Sequence, residues 1–330
     1  MRVLFAALAS PGHTFPMIPL AVATREAGHE VHFAAGEGVH AALAAQDLRP
    51  FRPADAFYEL YPEDLEPELA RLEPDLVVHG WGVPGAAVAA ERAGVPALWH
   101  GFGRMFDEGI GFDRPFGTGR PHLDVCPPSL QDKEFMASER RVELRPVALP
   151  EPGAVPERDA SKPLVYLTLG TAFATAGLLS TAVRALAGVG AQVVVSTGRV
   201  HPQELGPLPE GVTAHEWVSQ GALLPHASVV VHHGGSGTTL ASLATGVPQL
   251  FLPQGADQFS NADAVSAAGA GVALRGEQVT AEAIAANVRK LLSPKDGAGH
   301  REAARAIAEE IAGMPAPSEV ARQLPELAAS

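Results

Sequence analysis

The stretch His232-His233-Gly234-Gly235-Ser236-Gly237-Thr238-Thr239 decides the fold. It follows the β-branched run Val229-Val230-Val231 and precedes Leu240-Ala241-Ser242-Leu243-Ala244. That order predicts a strand, a tight loop and a helix N-terminus. Such a junction presents unpaired backbone N–H groups and the positive end of a helix dipole. It is suited to holding a diphosphate. The glycines let the backbone come close, the hydroxyls of Ser236 and Thr238 can donate, and a histidine ring can add a donor. Gln249 to Leu252 reads as the next strand and feeds Pro253-Gln254-Gly255-Ala256-Asp257-Gln258-Phe259-Ser260-Asn261. Loops that leave neighbouring parallel strands share one edge of the sheet. A glycine-rich turn alone is as often only a turn. The paired histidines and the second polar loop point to a ligand site.

The same alternation extends in both directions. Strands are expected at Val3 to Ala7, Val31 to Ala34, Leu76 to Val78 and Ala97 to Trp99. After the Pro- and charge-rich linker Pro150 to Asp159 they resume at Leu164 to Thr168, Gln192 to Ser196 and Val212 to His215. Helical patterns lie between them, among them Pro16 to Ala27 ending at Gly28, Thr280 to Leu292 and Arg301 to Ala312. Strands alternating with helices imply parallel sheets with right-handed crossovers. The expectation is an α/β chain of two halves, residues 1–150 and 151–330, with the last helix packing back on the first half. Pro50 to Leu72 and Phe102 to Gln131 lack periodicity and read as loops or short helices.

Composition narrows the function classes. The hydrophobic share of 46% supplies cores for the two domains that 330 residues suggest. A formal charge of -13 argues against a nucleic-acid backbone as partner. The single cysteine, Cys126, excludes an internal disulfide and a cysteine-built metal site. The apolar start Val3-Leu4-Phe5 breaks at Ser10-Pro11-Gly12-His13, too soon for an export segment. No apolar run approaches the roughly 20 residues of a membrane span. The expectation is a cytoplasmic protein with no membrane partner.

His232 to Thr239, Gly246-Val247-Pro248-Gln249 and Gly255 to Ala262 together resemble the donor-binding signature of family 1 glycosyltransferases, in the actinobacterial branch that attaches sugars to antibiotics. Gly12-His13 with Pro16 resembles that family's first loop, and Cys126-Pro127-Pro128-Ser129-Leu130 its segment before the interdomain linker. The resemblance implies a GT-B fold, two Rossmann-like domains facing across a cleft. The N-terminal one would take the acceptor and the C-terminal one the nucleotide sugar. It further implies transfer from a TDP- or UDP-sugar to a small aromatic or polyketide-like acceptor, with inversion, no cofactor and no required metal. A homodimer is compatible with it.

Position by position, the resemblance implies that His232 donates to the diphosphate and that Gly234, Gly235, Ser236, Gly237 and Thr238 form the phosphate loop. Thr171 would be a further phosphate contact. Trp217 would stack on the nucleobase, Val218 would offer its backbone and Gln220 would meet the ribose, with Ser219 standing where the family has proline. Asp257 and Gln258 would bind sugar hydroxyls. His233 would pack against or orient His232.

His13 is the expected general base. It follows a buried strand, and an imidazole can take a hydroxyl proton at neutral pH. Two departures from the family stand against efficient transfer. Gly80 occupies the position where relatives carry an acid that orients this histidine; Asp75 lies at the far end of that strand, and His79 is another option. The acceptor half is also abbreviated between Pro53 and Pro74 and between Trp99 and Cys126. A degenerate GT-B protein that binds nucleotide sugar, or assists a partner, is therefore the alternative to an enzyme. A nicotinamide-dependent enzyme is weakly supported, since no strand runs into a GxGxxG turn.

Overall fold

The computed structural model describes residues 1–53, 60–106, 120–138, 140–148, 153, 156–170 and 174–329. The chain divides into two compact units, Met1–Val147 with Gly313–Ser330, and Ala148–Ala312.

The first unit contains β1 (Arg2–Ala6), α1 (Pro11–Thr14), α2 (Ile18–Glu26), β2 (Glu30–Ala34), α3 (His40–Ala44), β3 (Pro50–Phe51), α4 (Pro62–Leu72), β4 (Leu76–Gly80), α5 (Pro84–Arg92), β5 (Ala97–His100), β6 (His122–Asp124), α6 (Lys133–Ser138) and β7 (Arg141–Glu143). Its seven strands run in the order β3-β2-β1-β4-β5-β6-β7, and all pairings are parallel. Alternation along β1 sends Leu4 and Ala6 to one face, where they pack with Leu65 and Leu69 of α4 and Ala86, Ala89 and Ala90 of α5. Phe5 stacks on Phe33 at 5.8 Å.

The second unit contains β8 (Leu164–Thr168), α7 (Ala176–Leu186), β9 (Gln192–Ser196), β10 (Val212–His215), α8 (Gln220–Leu223), β11 (Val229–His232), α9 (Ser236–Ala244), β12 (Gln249–Phe251), α10 (Gln258–Ala267), β13 (Gly271–Ala273), α11 (Ala281–Leu292) and α12 (Ala298–Gly313). Its sheet runs β10-β9-β8-β11-β12-β13, again parallel throughout. Two apolar layers cover its faces. Val165, Leu167, Val229 and Val231 meet α7 and α11 on one side, and Tyr166 and Val230 meet Leu223 and Leu224 on the other. The final helix α13 (Pro317–Ala329) packs on α2 in the first unit. The chain reaches it through Arg145, whose N–H and Nε donate to the carbonyls of Pro315 and Met314 at 2.8 and 3.0 Å.

The expected loop around His13 is helical. Pro11 sits at the first helical position, where its missing N–H costs nothing. The Thr14 N–H closes on the Ser10 carbonyl at 2.9 Å, and the Thr14 hydroxyl donates to the Leu8 carbonyl at 2.7 Å. Pro16 and Pro19 lack donors, and a 3-10 step at Phe15–Met17 joins α1 to α2 there. Of the expected linker, only Gly153 and 156–159 belong to the described residues.

Candidate active site

Both sheets reverse strand order once, between β1 and β4 in the first unit and between β8 and β11 in the second. Such reversals open a crevice at the C-terminal strand ends, where open α/β sheets take their ligands. His13 and the HHGGSGTT loop each lie at one of these points.

In the second unit, β11 ends at His232 beside Thr168 of β8. Gly234 takes φ +98°, and Gly235 caps α9. The N–H groups of Gly235, Gly237 and Thr238 meet no acceptor among the described residues. A Cβ on Gly237 would stand in open space. Open N–H groups at a helix N-terminus have the geometry that suits an anion.

His232 does not line this turn. Its ring is wholly buried; Nδ1 accepts the Gly234 N–H at 3.1 Å and Nε2 lies 2.7 Å from Gln249 Oε1. Burial holds the ring neutral, with its pKa pushed down to about 3. The one N–H of a neutral ring is then spent on Gln249, so the expected donation from His232 to a phosphate is corrected. His233 lodges between two glycines, and a Cβ on Gly170 or Gly235 would come within 2.6 or 2.5 Å of its Nε2. Its Nδ1 is buried without a partner, and desolvation holds its pKa at about 4.

The second polar loop braces the first. Asp257 Oδ2 accepts from the N–H and hydroxyl of Ser236 at 2.9 and 2.7 Å and from Asn261 Nδ2 at 3.0 Å. Asn261 Nδ2 also reaches the Gly234 carbonyl at 2.9 Å. Asp257 thus caps α9, and burial raises its carboxyl above the ordinary range in spite of those bonds. Gln258 Oε1 accepts from the N–H groups of Gln254 and Gly255 at 2.8 and 3.3 Å, while its Nε2 has no partner among the described residues. The turn between them strains Ala256 to φ +52°.

Trp217 is 44% exposed, Val218 is buried in the core and Gln220 opens α8. Gly153 lies so close to Val218 and Ser219 that a Cβ there would come within 2.8 Å of the Ser219 nitrogen. Thr171 lies outside the described residues.

In the first unit, His13 packs on Phe102 with ring centroids 4.6 Å apart. Its Nδ1 is buried without a partner, and desolvation pushes its pKa down to about 4. A Cβ on Gly82 would come within 3.1 Å of that nitrogen, whereas one on Gly80 would meet Met17 Sδ at 3.5 Å and no atom of His13 within 4 Å. Gly82, two places beyond the position where the family resemblance implies an acid, therefore lies nearer Nδ1 than Gly80 does. His79 and His100 are fully buried and held neutral by desolvation. Among the described residues, no three His, Cys, Asp or Glu side chains converge as metal ligands.

Comparison with characterised proteins adds the family. The sequence family "Erythromycin biosynthesis protein CIII-like, C-terminal domain" matches residues 180–327. L-demethylnoviosyl transferase of Streptomyces niveus is 32% identical over 98% of this chain and 97% of its own. The chain belongs to the family 1 natural-product glycosyltransferases. Elloramycin glycosyltransferase ElmGT of Streptomyces olivaceus is 33% identical over the same shares. The crystal structure of glycosyltransferase VinC in complex with DTDP superposes with a TM-score of 0.84 at 25% identity, each chain fully covered. The fold of this glycosyltransferase is GT-B, a pair of Rossmann-like units. The alignment with the Streptomyces niveus enzyme runs over 376 positions, more than the 330 residues present here, so that relative carries residues this chain lacks.

The motifs quoted from the sequence include His233, Gln249 and Asn261, but the bonds of Gln249 and Asn261 to the loop were not legible there. The signal for His233 was available in Gly170 and Gly235, which leave its ring room. Nothing local marks Gln249, because its partners stand 10 and 17 residues away.

Proposed function

We propose that this glycosyltransferase moves a sugar from a TDP- or UDP-sugar to a hydroxyl of a small aromatic or polyketide-like natural product, with inversion and without a required metal. The unpaired N–H groups of Gly235, Gly237 and Thr238 at the switch point of the second unit carry the reading. They would hold the diphosphate, with Ser236 bound inward to Asp257 and His233 closing the loop beside Gly170. Trp217 would stack on the nucleobase, Val218 would offer its backbone and Gln220 would meet the ribose. Asp257 Oδ1 and Gln258 Nε2 would face sugar hydroxyls. Thr171 remains a proposed phosphate contact.

The reaction is a single displacement. The acceptor oxygen forms a bond to the anomeric carbon and loses its proton to the His13 ring. The bond from that carbon to the phosphate oxygen breaks, and the nucleoside diphosphate leaves with the electron pair. Fixed N–H dipoles aimed at the leaving oxygen stabilise its growing charge. His13 is neutral at pH 7, which a base requires, but a ring held at about 4 is weaker than free imidazole. With no acceptor for Nδ1 among the described residues, turnover would be modest. DTDP in VinC supports a thymidine-linked donor.

The test begins with calorimetry of TDP and UDP. Transfer from the matching sugar nucleotide follows, with and without excess chelator, and the product's anomeric configuration is read by NMR. Loss of transfer with chelator, rescued by Mg²⁺, or retention of configuration would refute the mechanism. His13→Ala should cut turnover by about 10²–10⁴-fold and leave TDP affinity unchanged.

A further inference from the structure

Gln249 sits in β12 with its side chain fully buried, directly across from Val230 and on the same face as His232. Its amide spans the phosphate loop. Oε1 lies 2.7 Å from His232 Nε2, and Nε2 donates to the Thr239 carbonyl at 3.4 Å. His232 in turn takes the Gly234 N–H on Nδ1 at 3.1 Å. That N–H can only point at a lone pair, so Nδ1 is unprotonated and Nε2 carries the hydrogen that Gln249 accepts. A continuous chain of bonds therefore links the entry of the loop at Gly234 to the first turn of α9 at Thr239.

Only an amide satisfies both ends. A carboxylate would offer an acceptor to the Thr239 carbonyl, which is itself an acceptor. An apolar side chain would leave a ring N–H buried without a partner. The loop has little room to move: Gly234 has φ +98°, which glycine accepts without strain, and a Cβ there would come within 2.9 Å of the Gln258 carbonyl oxygen. A loop of this kind keeps its shape only where its neighbours fix it.

We propose that Gln249 is a positioning residue for donor binding, acting through His232 and Thr239 to fix the loop so that the N–H groups left unpaired all face the diphosphate. The inference rests on the reading of that loop as the diphosphate site. It assigns His232 a role inside the protein and gives Gln249, which touches no substrate, control over affinity for the phosphates alone.

The test uses the full chain with thymidine and TDP as probes. Gln249→Met and Gln249→Glu should each lose about tenfold or more in TDP affinity, the scale of one buried polar group left unpaired, while thymidine affinity stays as in the wild type. In transfer assays the KM for donor should rise and the KM for acceptor should not. In the wild-type protein, ¹⁵N NMR should show His232 as the Nε2–H tautomer, a readout that needs no variant and decides the matter where a variant fails to fold. An Nδ1–H tautomer, or folded Gln249 variants with unchanged TDP affinity, would overturn the proposal. Gly237→Asp places a carboxylate at the open end of α9 and should abolish TDP binding. If it does so while the Gln249 variants bind normally, only the positioning role fails. If Gly237→Asp binds TDP as well as the wild type, the site itself has been misassigned.

Discussion

The same change, glycine to alanine, should act in opposite directions at two positions of one loop. Gly235 has φ −61°, a conformation any residue accepts, so a methyl group there costs no backbone strain. Its cost is contact: the Cβ would lie 2.5 Å from His233 Nε2 and 3.2 Å from Cε1. Ordinary contact is roughly 3.5 Å or more, so the ring must retreat by about 1 Å. That ring is largely buried. Overpacking of this kind costs about 1–3 kcal/mol. For a unit the size of Ala148–Ala312 that lowers Tm by roughly 3–9 °C. At Gly237 the Cβ meets nothing within 4 Å, and the residue sits in the first turn of α9. Alanine there should stabilise by up to about 1 kcal/mol. Both variants should weaken TDP binding, Gly235→Ala by displacing His233 and Gly237→Ala by crowding the phosphates. Differential scanning calorimetry and titration with TDP read all four quantities. A Gly235→Ala protein as stable as the wild type, with full TDP affinity, would show that His233 does not occupy the place assigned to it.

Three further outcomes follow from the same geometry. The acid limb of kcat/KM should fall near pH 4, below the ordinary histidine range, because desolvation holds His13 at about 4; a limb near 6.5 would remove His13 from the base role or place it in a wetter site. Stability should decline as pH falls from about 6.5, since His79, His100, His122, His232 and His233 are depressed in the folded state and the unfolded chain binds protons first; the raised carboxyls of Asp124 and Asp257 act in the opposite sense, and a urea midpoint that is flat from pH 7 to 5 would contradict the burial of the histidines. Asp257→Asn should keep TDP binding because an amide oxygen can still cap Ser236, whereas Asp257→Ala should weaken it by uncapping α9; equal affinities in the two would sever the second polar loop from the phosphate site.

Much of the fold was legible because its central strands are apolar runs of β-branched residues. Val229 to Val231 and Val193 to Val195 can be little else, and β1, β8 and β9 lie within a residue of their expected positions. The edge of the first sheet was illegible for the converse reason. β6 is His-Leu-Asp, three buried residues of which two are polar, and it carries no strand pattern of its own. It is held by tertiary bonds: Asp124 accepts Arg141 Nε at 2.6 Å, Gln131 Nε2 at 3.0 Å and the Cys126 N–H at 2.9 Å. The Arg141 and Gln131 partners are distant in sequence, and the Cys126 bond forms only once the turn after β6 is made. α4 was hidden by its prolines, although Pro62 opens it and Asp64 accepts the Tyr61 N–H at 2.9 Å as an N-terminal cap. In the candidate site, the motif gave the strand–loop–helix junction but not the direction of its rings. Which of two adjacent histidines turns inward depends on Gln249 beneath one and on Gly170 beside the other.

That inward turn bears on how an acidic protein would hold the proposed diphosphate. The loop residues named here include no lysine or arginine, and His233 is neutral at physiological pH. The one charged side chain in the group, Asp257, is negative and already bound to Ser236. Attraction must then come from backbone N–H groups and the end of α9. A lysine can swing toward a phosphate after it arrives; an N–H cannot. Its contribution depends on the loop being shaped before the ligand enters. The buried amides of Gln249, Gln258 and Asn261 meet this requirement, since each bonds to a side chain or backbone group of one of the two loops. In such a site, affinity for the donor is governed as much by residues beneath the loop as by those that touch the phosphates.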